Sequence, residues 1–135
     1  MIYEIPENAK ILSIKEETIV NKGNWYKQTY EGLIIETDKG SIKLVISDSQ
    51  SCCENFGSLF FETPDDISQF IDAEILQIED ISIKREEYID TDSETQLRIT
   101  TDKGIIQYAI YNEHNGYYSH GTILQVFDTI ETGSL

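Results

Sequence analysis

TDKGSIKLVI, residues 37–46, and TDKGIIQYAI, residues 101–110, stand 64 positions apart in one chain. Widening the frame strengthens the match. LIIETDKGSIKLVISD (33–48) laid over LRITTDKGIIQYAIYN (97–112) agrees at eight of sixteen positions, where unrelated sequences of ordinary composition agree at about one. Upstream, with no gap, AKILSIKEETI (9–19) over AEILQIEDISI (73–83) agrees at five of eleven. The offset predicts a single domain over 1–135 made of two internal repeats, at about 9–62 and 73–128. A unit of this size is too small to bury an apolar face alone, so one copy must pack on the other.

The unit reads as strands. Leu97 and Ile99 alternate with Arg98 and Thr100, the period of a half-buried strand. Asp102-Lys103-Gly104 supplies a turn in which glycine adopts positive φ at little cost. Ile106, Tyr108 and Ile110 then form an inward set, as do Leu33, Ile35, Ile42, Leu44 and Ile46 in the first copy. Further strands are predicted near 9–20, 58–62, 73–83 and 122–128. The stretches 21–30 and 84–95 break the alternation and read as loops. TPDDISQFIDA (63–73) predicts a short helix near 65–71, with Thr63 as cap, Pro64 in the first turn and Asp65 and Asp66 at its positive end. The expected fold is mainly β with minor α: about eight strands in a sandwich or partly open barrel, with one short helix.

Charge is the outlier. The chain carries 25 acids against 10 bases, a net charge of −15, which repels nucleic acid and anionic membranes and attracts basic surfaces. Twelve acids crowd into 62–94: Glu62, Asp65, Asp66, Asp72, Glu74, Glu79, Asp80, Glu86, Glu87, Asp90, Asp92 and Glu94, opposed by Lys84 and Arg85 alone. With Arg85 and Arg98 as its only arginines, the chain is poorly supplied for a phosphate-binding pocket. No apolar run has the length of a membrane span, and MIYEIPENAK lacks the pattern of a secretory signal. The expectation is a soluble, cytoplasmic protein.

The same offset lays SQSCCENFG (49–57) over EHNGYYSHG (113–121). Cys52, Cys53 and Glu54 therefore occupy the places of Gly116, Tyr117 and Tyr118, and with Asn115 they form a joint candidate ligand site. TDKG-like hairpins at Thr37 to Gly40 and Thr101 to Gly104, with Cys52 to Glu54 and Asn115 to Ser119 between and after them, resemble an uncharacterised family of small phage and prophage proteins. The resemblance covers roughly 9–128. It implies a phage setting and carries no activity with it, and His114 and His120 are not part of its pattern.

Chemistry at these residues finds weak footing. Cys52, Cys53, His114 and His120 have atoms that suit zinc, but the usual spacing between paired cysteines is missing, so no metal and no cofactor is expected. A Cys/His nucleophile would need an orienting group and an oxyanion site that nothing in the sequence marks. Asp90 and Asp92 lack the rest of a calcium-loop pattern. Asn115-Gly116 is a turn signal, and Tyr117 and Tyr118 serve equally well to open a strand. Trp25, Tyr26 and Tyr30 sit in a stretch that either folds back on the core or meets a partner.

Two functions are expected from this. In the first, a phage-encoded, non-enzymatic inhibitor offers Asp65, Asp66, Asp72, Glu74, Glu79, Asp80, Glu86, Glu87, Asp90, Asp92 and Glu94 as a mimic of nucleic-acid phosphates. Its partner is a basic nucleic-acid-binding host protein, in an anti-CRISPR-like role, with no direct nucleic-acid or membrane binding. In the second, Cys52, Cys53, Glu54, Asn115, Gly116, Tyr117 and Tyr118 hold a small ligand or nucleotide signal. An unpaired edge strand would permit a homodimer.

Overall fold

In the computed structural model the backbone is described at 1–22, 27–47, 55–87, 90–114 and 121–134, and side chains at 1–20, 29–47, 57–82, 94–112 and 121–133. Nine strands occur among these residues: β1 (Ile11–Lys22), β2 (Lys27–Thr37), β3 (Gly40–Ser47), β4 (Asn55–Phe60), β5 (Ile75–Glu87), β6 (Asp90–Thr101), β7 (Gly104–His114), β8 (Gly121–Val126) and β9 (Thr129–Ser134). They form two antiparallel sheets, ordered β1-β2-β3-β8-β9 and β4-β7-β6-β5, and no closed barrel. The mainly β, sandwich-like architecture expected from the sequence is the one found.

Pairing registers recur at the 64-residue offset. Ile14 lies opposite Ile35, and Ile78 opposite Ile99. Leu33 faces Leu44, and Leu97 faces Tyr108. The last strand of each half crosses to the other sheet, so that Ile46 meets Thr122 and Ile110 meets Ser58. Even the irregularities repeat, with register shifts at Ile11/Ser13 and at Ile75/Gln77. Where β1 and β5 begin, the sheets are tied together: the Ile11 amide donates to the Ala73 carbonyl (3.0 Å) and the Ile75 amide to the Ala9 carbonyl (2.9 Å). Lys10 and Glu74 face each other between them.

The core lies between the sheets and consists of the inward sets read from alternation. Leu33, Ile35, Ile42, Leu44 and Ile46 meet Leu97, Ile99, Ile106, Tyr108 and Ile110, all buried. Each TDKG turn has positive φ at its glycine, 142° at Gly40 and 134° at Gly104, and each glycine is covered by a phenylalanine: Phe127 over Gly40 and Phe70 over Gly104.

Four expectations need correction. The stretches 21–30 and 84–95 are not loops where described, because β1, β2, β5 and β6 run through most of them. The helix at 65–71 is a single 3-10 turn, Ile67–Phe70, capped by Asp66 rather than Thr63: the Asp66 carboxylate accepts from the Ser68 amide at 3.1 Å. Thr63 instead donates to the Phe61 and Gln107 carbonyls and accepts from the Gln107 amide (2.8 Å). Finally, β9 is an additional strand, reached by a tight turn at Phe127 with φ of 55°.

Candidate partner-binding surface

The acids of 62–94 occupy two places, the β4–β5 connector and the β5–β6 hairpin. In the connector several have local duties. Asp66 caps the 3-10 turn. Asp72, in the left-handed region at φ 67°, donates its amide to the Ile11 carbonyl. The Glu74 amide is held by the Asp102 carboxylate at 2.9 Å. Asp65, Asp66 and Asp72 remain exposed and Glu74 is half-buried.

The hairpin carries the rest. Residues 75–101 hold seven acids against three bases, whereas the equivalent 11–37 hairpin, on a matching register, holds four against three. Glu79 is neutralised in place: Arg98 donates to it at 3.2 Å and to Gln107 at 3.3 Å, and Gln107 donates onward to Glu62 at 3.3 Å. This row of side chains crosses the outer face of the four-stranded sheet. Asp80 has the opposite parity from Glu79. Its side chain is only 13% exposed, and it raises the titration point of the Tyr3 hydroxyl, after burial and ahead of Glu131. Asp80 is thereby removed from the outer surface proposed from sequence. Glu94 sits between Ile83 and Tyr111 in register. Glu86, Glu87, Asp90 and Asp92 lie on the hairpin backbone, with Glu87 opposite Asp90 and Arg85 opposite Asp92. Their side chains fall outside the described residues.

Cys52, Cys53 and Glu54, as well as Asn115, Gly116, Tyr117, Tyr118 and His120, lie outside the described residues, as do Trp25 and Tyr26; of His114 only the backbone is described. The structure does bring the flanks of the two motif segments together. β3 ends one residue beyond Ile46, which pairs with Thr122 beside the start of β8, and Asn55 at the start of β4 pairs with Glu113 near the end of β7. Tyr30 is not in a loop: it belongs to β2 and is buried over Gly121. No group of three metal-ligating side chains occurs among the described residues, and no helix among them is long and apolar enough to cross a membrane.

Sequence reasoning placed Tyr108 inward, as found, but missed what it and Tyr111 do. Tyr108 stands where the first copy has Leu44 and reaches the opposite sheet, donating to Glu16 at 3.0 Å. Burial pushes its hydroxyl above the ordinary 10; the Ser58 hydrogen bond opposes this, and Glu16 and Glu31 add to it. Tyr111 is laid across Gly57, so closely that a Cβ there would meet its hydroxyl at 2.9 Å. The alignment of Gly57 with Gly121 was the available signal, because a strand glycine marks a place where something must approach the backbone.

The family model described as a domain of unknown function (DUF7448) matches residues 6–124. No curated protein and no solved structure matches the chain.

Proposed function

The chain belongs to that family of unknown function, and from that premise we propose that it is a non-catalytic inhibitor encoded by a phage. It acts in the host cytoplasm and occupies the basic channel of a nucleic-acid-binding defence protein, where its carboxylates stand in for phosphates. One observation carries this reading: two hairpins of matching register differ in charge, and the excess of acid falls on β5–β6 and the connector leading into it. Fold alone does not require that asymmetry. Like charges crowded on one hairpin repel each other, so their presence there needs a counterpart of opposite sign. Acid-to-base pairing of this kind speeds encounter and makes it sensitive to salt.

The test immobilises the protein and passes host lysate over it at about 50 mM and about 500 mM salt. The expected result is capture of a nucleic-acid-binding protein that is lost at high salt and displaced by duplex DNA. Capture indifferent to both salt and duplex would overturn the reading.

A further inference from the structure

We propose that Tyr111 and Glu94 form a receptor for an arginine side chain of the partner; this rests on the acidic-surface reading above and locates its anchor. The pair lies on the outer face of the four-stranded sheet. Glu94 and Tyr111 are direct cross-strand neighbours on β6 and β7. On the other side Tyr111 faces Gly57 of β4, which has no side chain, and the ring lies down over it, its Cζ 3.2 Å and Cε1 3.4 Å from the position a Cβ would take. The hydroxyl end of the ring is therefore held against the sheet while Tyr111 stays partly exposed. A fixed aromatic face beside a carboxylate suits a planar cation, which stacks on the ring and bonds the acid at its edge.

The surroundings favour the same occupant. Leu59 and Ile81, 43% and 42% exposed, lie in the adjoining row of the sheet and offer apolar contact to the stem of a long side chain. Arg98, a cation on this face among the described side chains, is already bound to Glu79 and Gln107, so it does not compete for Glu94. The other sheet shows the contrast: at the positions equivalent to Glu94 and Tyr111 stand Tyr30 and Ser47, both buried.

The experiment measures binding of two probes, a glycine-spaced hexa-arginine peptide and its hexa-lysine twin, to the full chain by fluorescence anisotropy. The parent is expected to prefer the arginine probe. Tyr111→Leu should weaken that probe by about two- to fivefold and leave the lysine probe unchanged. Glu94→Gln should likewise weaken the arginine probe more than the lysine one. Tyr111→Phe, which keeps the ring, should retain the preference, and so should Glu36→Gln on the other sheet. If Tyr111→Leu changes both probes equally, if Tyr111→Phe loses the preference, or if the parent shows none, the arginine receptor is refuted while the charge reading stands. If neither probe binds the parent, both fail.

Discussion

Asp38 accepts a hydrogen bond from the Lys10 amide at 2.9 Å, and Asp102 accepts one from the Glu74 amide at the same distance. Each aspartate also returns its own amide to the carbonyl of the residue it holds. Thr37 and Thr101 close the turns, each donating to the glycine carbonyl at 2.7 Å. The repeated TDKG string is thus a clamp: threonine shapes the turn, aspartate locks it to the strand that joins the two sheets, and glycine leaves room for a phenylalanine. Asp38→Ala and Asp102→Ala should each cost about 1–2 kcal/mol in urea unfolding. Asp→Asn at either site, which keeps an acceptor oxygen, should recover most of it; if asparagine is as damaging as alanine, the clamp is not a hydrogen bond. Gly32 is a harsher case. A Cβ there would sit 2.2 Å from the Leu44 carbonyl oxygen, and its φ is 153°, so Gly32→Ala should cost about 3 kcal/mol or more. A thermal melt unchanged by this substitution would refute the close approach.

Hairpins were legible where they bury a face and illegible where they do not. Alternation appears in Leu33 to Ile35 and Leu97 to Ile99 because one side of each strand enters the core. From Lys15 to Thr18 all four residues are exposed, as are Ile81 and Ser82. With both faces in water a strand has no period to display; farther along the same hairpins, NKGNWYKQTY (21–30) and KREEYIDTDSET (84–95) carry no apolar alternation, which is why they read as loops. The 3-10 turn was mistaken for a longer helix because its capping signals are real but the chain must turn at Asp72 to pair Ala73 with Ile11. Of the candidate surface, sequence conveyed charge but not facing, so Asp80 was grouped with Glu79 although it turns toward Tyr3. Tyr108 is a connection between sheets that no pattern announced. Its hydroxyl titrates above the ordinary 10 in the fold, so the stability it contributes is complete below about pH 10 and is lost as pH rises through the shifted value. Alkaline unfolding followed by circular dichroism should therefore steepen above about pH 10, and Tyr108→Phe should flatten that slope. Equal slopes for both proteins would assign the alkaline transition to other groups.

At the scale of the whole molecule, a net charge of −15 on 135 residues stresses the compact state through self-repulsion. The stress is uneven, because hairpin 75–101 is more acidic than its counterpart 11–37 and places Glu87 directly opposite Asp90. Like charges facing each other across a strand pair are destabilising. Raising sodium chloride from about 20 mM to about 300 mM shortens the screening length to under about 10 Å and should raise the thermal midpoint by several degrees. Neutralising the hairpin with Glu86→Gln, Glu87→Gln and Asp90→Asn should raise the low-salt midpoint and shrink the gain from salt, since the repulsion has been removed at its source. The same triple variant should lose salt-dependent capture of the basic partner. Stability and binding then move in opposite directions, as expected of a surface whose charge serves recognition rather than folding. If the variant is no more stable at low salt and captures the partner undiminished, the hairpin's acids are only a solvated face, and the inhibitor reading loses its contact surface.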